Sequence, residues 1–223
     1  MAGTMSMTAT PATISNLDFV KVLAFGASLT EGYYNRGHKF HPYAIELEKC
    51  INKHYTDKGS DNHAAIHQFG LSGEFTSHMI PRLHDILTKS ATSPYKFVCI
   101  LAGTNDLSLS DSGDEIFERL RQLYNMVLEH GDKQAILVAI TIPQSFFTDS
   151  DYVGTRNTVN KHIKNFCLGI NKDSDQVRVI TVDYENLIPY QENGIYWDDA
   201  LHMTPAGYNR LGKFIFEHIS HAL

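Results

Sequence analysis

Cysteine is scarce: the 223 residues include only Cys50, Cys99 and Cys167. No C-x-x-C pair occurs, so neither a zinc ribbon nor a dithiol redox motif is indicated. The low, odd count suits a reducing compartment. Cys99, inside the apolar run FVCIL, reads as a small core residue. Basic residues are outnumbered, 19 Lys and Arg against 25 Asp and Glu, and they are scattered. The net charge of −6 argues against a nucleic-acid partner, which calls for a basic stripe. No apolar stretch approaches the roughly 20 residues that a membrane helix needs. Residues 1–16 lack the basic and apolar regions of a secretory signal. The expected location is therefore cytoplasmic.

What the chain does have is an ordinary globular balance, 43% hydrophobic and 20% charged. A compact chain of this length removes roughly 70% of its unfolded surface from water, enough to be stable without disulfides or metals. Residues 1–17, rich in Thr, Ala and Ser, are expected to be a disordered leader. Residues 18–223 are expected to form a single domain.

That region alternates. Residues 19–25 (FVKVLAF), 64–69, 95–101 (YKFVCIL), 135–142 (AILVAITI) and 177–182 (VRVITV) are short apolar runs of strand character. Between and after them, 41–54, 75–87, 114–128, 153–170 and 205–219 carry helical spacing. Ile45, Leu47 and Ile51 mark the first helix, and Ile116, Leu120, Leu123 and Val127 the third. Pro143 stops the fourth strand, and Thr204 followed by Pro205 reads as an N-cap with proline at the first helical position. Strands that are apolar throughout are buried on both faces, so five such strands alternating with helices predict a three-layer α/β/α sandwich around a five-stranded parallel sheet.

Ligands of such sheets bind in the loops after the carboxyl ends of the strands. Those loops hold Gly26-Ala27-Ser28-Leu29-Thr30-Glu31-Gly32, Gly70-Leu71-Ser72-Gly73, Ala102-Gly103-Thr104-Asn105-Asp106 and, after a connecting stretch, Asp198-Asp199-Ala200-Leu201-His202. A hydroxyl, a histidine with a carboxylate, and neutral amide donors are the parts of an acyl-transfer site.

The segment FGASLTEGY, with GLSG, GTND and the Asp199-x-x-His202 step following in order, resembles the SGNH hydrolases, also called GDSL lipases and acylhydrolases. The resemblance runs from about Val20 to the C-terminus. It implies a flavodoxin-like α/β/α fold and a serine esterase acting on small carboxylic esters. It puts the nucleophile at Ser28, the base at His202 and the acid at Asp199. The oxyanion donors it implies are the N–H groups of Ser28 and Gly73 and the side-chain amide of Asn105. Chemistry agrees: a serine hydroxyl needs a base, imidazole is the base for neutral pH, and a carboxylate three residues earlier can orient it. Thr30 at two residues after the serine departs from the G-x-S-x-G elbow of the α/β-hydrolases. One position departs from the family pattern: Ala27 stands where the family has aspartate.

Other readings stay open here. The same machinery serves carbohydrate O-deacetylation, thioester cleavage and acyl transfer, and a binding protein can keep the fold without turnover. Asp198 is a neighbour that competes for the acid role. Tyr33, Tyr34, Phe146, Phe147, Tyr196 and Trp197 crowd the expected mouth, and Tyr33, Phe146 and Trp197 are the candidate substrate-binding residues. The His63/His67 and His38/His41 spacings lack the carboxylate or cysteine partners of a metal site, so no metal and no cofactor are expected. The expected partner is a small-molecule ester; oligomeric state has no sequence signal.

Overall fold

The computed structural model describes residues 19–130, 135–172, 176–192 and 194–223. The expected leader, residues 1–17, lies outside the described residues.

Five parallel strands form the central sheet: β1 (Phe19–Gly26), β4 (His63–Gly70), β5 (Phe97–Leu101), β6 (Ile136–Ile140) and β7 (Val179–Val182), in the order β4-β1-β5-β6-β7. Two short strands, β2 (Tyr33–Tyr34) and β3 (Lys39–Phe40), pair antiparallel in the loop beyond the serine. The helices are α1 (Ser28–Glu31), α2 (Ala44–Asp57), α3 (Thr76–Lys89), α4 (Gly113–Glu129), α5 (Ser150–Lys172) and α6 (Pro205–Ile219). The anticipated three-layer α/β/α sandwich is the observed fold.

The sheet's two faces carry two separate cores. Val22, Ala24, Cys99, Val138 and Ile140 meet α2 and α6 on one side. Leu23, Phe25, Val98, Ile100, Leu137 and Ala139 meet α3, α4 and α5 on the other. Successive residues of each strand point to opposite faces, which is why the runs must be apolar throughout. The edge strand β4 is the exception. His63, His67 and Phe69 are exposed, and its reading HAAIHQFG is correspondingly mixed.

The helices begin where the sequence supplies caps. Ser112 accepts from the Glu115 N–H, and Glu115 reaches back to the Ser112 N–H, a complete capping box for α4. Thr204 caps α6 through the Gly207 N–H at 3.3 Å. In α2 the buried stripe is Leu47, Ile51 and Tyr55, whereas Ile45, expected on that face, is 53% exposed. Ile45 stands two residues before Leu47 and so on the opposite face of the helix, whereas Tyr55 continues the i+4 row of Leu47 and Ile51. Among the described residues, no helix is long and apolar enough to cross a membrane.

The three cysteines are free thiols. Burial pushes Cys99 up to about 12 and Cys167 to about 11. Cys50 on α2 is only partly covered; burial raises it, and the nearby Glu46 carboxylate adds to the rise. Because the thiolate is the reactive form, titration of native protein with an aromatic disulfide at pH 8 is expected to count at most one thiol, Cys50, and three after denaturation. Rapid reaction of two or more native thiols would contradict this packing.

Candidate active site

The sheet order reverses at β1: the chain passes from β1 to β4 on one side, then to β5 on the other. Such a switch point leaves a crevice at the carboxyl ends of the strands. Ser28 follows β1 there, flanked by the loops after β4 and β5. Gly26, the last residue of β1, must be glycine, because a Cβ would lie 2.1 Å from the Leu101 carbonyl oxygen and 2.5 Å from Thr30 Oγ1. That closeness lets the chain turn directly from strand into α1, with Ser28 at the first helical position. Ala27 precedes it as the N-cap and provides no side-chain cap. The turn is held by backbone instead, with the Ala27 carbonyl accepting from Thr30 and Glu31 at 3.0 and 2.9 Å.

The histidine arrives from the far end of the chain. Trp197 and Met203 form an antiparallel bridge, and the Asp198 N–H donates to the His202 carbonyl at 2.9 Å, closing a tight turn. Within it, Asp199 Oδ1 accepts the N–H groups of Leu201 and His202 at 2.8 and 2.6 Å. This is the local side-chain-to-backbone bonding that short acidic residues favour. Asp199 Oδ2 lies 2.9 Å from His202 Nδ1, and His202 Nε2 lies 2.9 Å from Ser28 Oγ. Ser28 is 5% exposed, so the hydroxyl is shielded yet in reach of the imidazole. Burial alone pushes the Asp199 carboxyl up; the His202 and Leu201 N–H groups and the imidazole outweigh it and hold the group below its ordinary value. Asp198, the competing carboxylate, turns away and accepts the Asn35 N–H at 2.7 Å.

Gly73 and Asn105 are also brought together. Asn105 Nδ2 donates to the Glu74 carbonyl at 2.9 Å, which fixes the amide against the residue next to Gly73 and leaves its second N–H free to serve another acceptor. Gly73 has φ +78°, a left-handed conformation suited to glycine. Among the described residues, the N–H groups of Ser28 and Gly73 have no hydrogen-bond partner.

The three aromatic candidates occupy different positions. The Tyr33 ring lies against the His202 ring, centroids 4.3 Å apart. Phe146 is half exposed and lines a cavity of about 310 Å³ with Tyr190, Glu192, Trp197 and the Asp198–Ala200 stretch. Trp197 is 5% exposed; it is a core residue with one edge on this cavity, and its Nε1–H is spent on the Pro189 carbonyl at 3.0 Å. Among the described residues, no group of three His, Cys, Asp or Glu side chains could hold a metal. His67 and His41, from the two noted pairs, face Tyr95 Oη and Asn209 Oδ1, each at 2.8 Å.

Charged residues that the motifs did not single out surround the site. Glu31 accepts from the Ser72 N–H at 2.9 Å and from the Ser72 hydroxyl. Asp106, 1% exposed, accepts from the Thr76 N–H and hydroxyl and from Arg119. Glu74 pairs with Arg82. The available signal was a charged residue immediately beside a loop glycine or asparagine.

The GDSL-like lipase/acylhydrolase family model matches residues 24–210. The chain belongs to this family. Membership makes the protein a hydrolase acting on ester bonds. No curated protein matches the sequence significantly. Among solved structures, a lipolytic G-D-S-L family member from Veillonella parvula is 17% identical, with 91% of this chain and 99% of that one covered and a TM-score of 0.67. An acetylxylan esterase from Geobacillus stearothermophilus is 17% identical, with coverages of 89% and 93% and a TM-score of 0.68. A carbohydrate acetylesterase from Sinorhizobium meliloti is 17% identical, with coverages of 91% and 99% and a TM-score of 0.65. At these identities the family member shares its fold with them.

Proposed function

We propose that the protein hydrolyses small carboxylic esters through an acyl-Ser28 intermediate. The observation that carries this reading is the chain of contacts from Asp199 through His202 to Ser28 Oγ, both links at 2.9 Å. His202 Nε2 takes the hydroxyl proton as Oγ bonds to the carbonyl carbon. The carbonyl oxygen becomes an oxyanion that accepts from the N–H groups of Ser28 and Gly73 and the Asn105 amide. The C–O bond to the alcohol then breaks, and His202 returns the proton to the leaving oxygen. Water repeats the sequence on the acyl-enzyme: His202 takes its proton, the acid leaves, and the proton returns to Ser28. Asp199 keeps the imidazole in the tautomer that this requires. No cofactor enters the cycle, and three unpaired thiols fit a reducing, cytoplasmic setting.

A second reading, O-deacetylation of a carbohydrate, is favoured by the cavity beside Asp199. Its aromatic walls, Phe146, Tyr190 and Trp197, suit the apolar face of a sugar, and Glu192 and Asp198 are acceptors for hydroxyls. Two structural relatives are described as esterases of acetylated carbohydrates.

The test is turnover of p-nitrophenyl esters from acetate to palmitate, alongside an acetylated xylo-oligosaccharide, with a fluorophosphonate probe to locate the nucleophile. Turnover of short esters, falling with chain length, and a single adduct on Ser28 are expected. Faster release of acetate from the sugar would move the assignment to the second reading. No turnover of any ester and no adduct would overturn both.

A further inference from the structure

The residue after Gly73 is a carboxylate with 6% of its side chain exposed, and its cation comes from α3. Arg82 Nε donates to Glu74 Oε1 at 2.9 Å, and Nη2 pairs with Glu74 Oε2. The same guanidinium reaches two strand ends. Nη1 donates to the Phe69 carbonyl on β4 at 2.9 Å, and Nη2 to the Gly26 carbonyl on β1 at 3.1 Å. Its plane covers the Phe25 ring, 4.1 Å from the centroid. One side chain thus ties the residue two before Ser28, the end of the neighbouring strand and the residue after Gly73. Glu74 extends the link, because its own carbonyl is what Asn105 Nδ2 donates to at 2.9 Å.

This matters because the nucleophile turn has no side-chain brace of its own. Ala27 caps α1 with nothing, and a Gly26 carbonyl facing the loops would be a weak anchor without donors. It has two: Arg82 and the Leu71 N–H, the latter at 3.1 Å. From the other side, Glu31 of α1 holds the Ser72 N–H. The Gly73 loop is therefore held on one side by Glu31, which belongs to the serine turn, and on the other by Glu74, whose partner Arg82 donates to the Gly26 carbonyl.

We propose that Arg82 and Glu74 are positioning residues for the reaction: they fix the Gly73 and Asn105 donors relative to Ser28, in place of a brace from position 27. The inference rests on the esterase reading and deepens it. A burial argument explains why the pair exists as a pair. Either charge alone in this environment would be uncompensated. Only a guanidinium has donors enough to serve Glu74, Phe69 and Gly26 from one place; an ammonium cannot span them.

The geometry predicts a loss in the chemical step. A misplacement of donors by a fraction of an ångström weakens the oxyanion and leaves ground-state binding nearly intact. Glu74→Gln and, separately, Arg82→Lys are expected to lower kcat by about 10–100-fold while KM stays within about threefold. Each variant is assayed well below its own Tm. The decisive readout is a cycle with Asn105→Ala. If Glu74 acts through the oxyanion donors, then Glu74→Gln in the Asn105→Ala background should lower kcat by under about threefold, because part of what it positions is already gone. A pair that is merely structural would lower Tm while leaving kcat of the folded enzyme unchanged, or would give losses that multiply fully in the double variant. Any of these outcomes overturns the proposal. If Ser28→Ala leaves turnover intact, the esterase reading itself falls. If Ser28→Ala abolishes turnover and Glu74→Gln spares kcat, only the positioning role falls.

Discussion

Ser28→Ala is expected to lower kcat for a p-nitrophenyl ester by about 10⁴–10⁶-fold, with KM within a few-fold of wild type. Among the described residues, the Ser28 Oγ is the only hydroxyl paired with His202 Nε2. Thr30, two residues on, is fully buried, and Gly26 packs against its Oγ1. The residual rate expected is that of the proposed oxyanion donors and binding, which the substitution leaves in place and which in other serine hydrolases retain about 10³–10⁴-fold over water. Stability should hardly move, since the Oγ makes one side-chain hydrogen bond, worth about 0.5–1.5 kcal/mol at most. The measurement is single-turnover and steady-state kinetics with thermal melts of the same preparations. Turnover within tenfold of wild type, in protein that melts normally, would remove Ser28 from the mechanism.

The alternation of β1, β4, β5, β6 and β7 with helices was legible because strands covered on both faces cannot tolerate polar residues. FVCIL and ILVAI announce themselves for that reason. The edge strand β4 was harder, since one of its sides faces solvent and its reading is mixed. Element ends drifted for local reasons. The run 135–142 continues past β6 because Thr141 and Ile142 remain buried after the ladder stops. The run 177–182 began early because Val177, though apolar, is 45% exposed ahead of β7. The hairpin of β2 and β3 gave no signal, being two residues per strand.

The site divides in the same way. Ser28, Gly73, Asn105, Asp199 and His202 stand in short local patterns, each after a strand or inside one tight turn, so their neighbourhood could be read along the chain. Arg82 could not. Its partners are Glu74 eight residues away, Phe69 thirteen and Gly26 fifty-six. Asp106 meets Thr76 across thirty residues and Arg119 across thirteen. A charged residue on a helix reads as solvated until the fold puts a carboxylate and two strand ends beside it. Sequence patterns therefore located the groups proposed for the chemistry, while the groups that hold them appear only with tertiary structure.

Asp199→Asn tests the most constrained of these contacts, and kcat is expected to fall by about 10⁴-fold, as it does for the equivalent change in other serine hydrolases. The two carboxylate oxygens have different tasks. Oδ1 accepts two backbone N–H groups, from Leu201 and His202, and lies 3.1 Å from His202 Nδ1, while Oδ2 is free of backbone bonds and is the nearer to Nδ1 at 2.9 Å. An asparagine has one acceptor oxygen. If that oxygen keeps the backbone bonds that close the turn, the NH₂ group faces Nδ1 and forces it to accept. The ring proton then sits on Nε2, which can no longer take the proton of Ser28. If the amide flips, its NH₂ opposes two backbone N–H groups and the turn opens. Either way the base is lost while Ser28 and the oxyanion donors remain. Asp198→Asn is the contrast: that carboxylate serves the Asn35 N–H, and its loss should lower kcat by less than about tenfold. The pH profile adds a second check. Burial of Asp199 raises its carboxyl, but the Leu201 and His202 contacts outweigh this and keep it ionised below the ordinary carboxylate range. Loss of wild-type activity on acidification above about pH 4 must then come from another group, and the carboxylate's contribution persists until lower pH. Equal losses in the two asparagine variants would return the acid role to an open choice between neighbours.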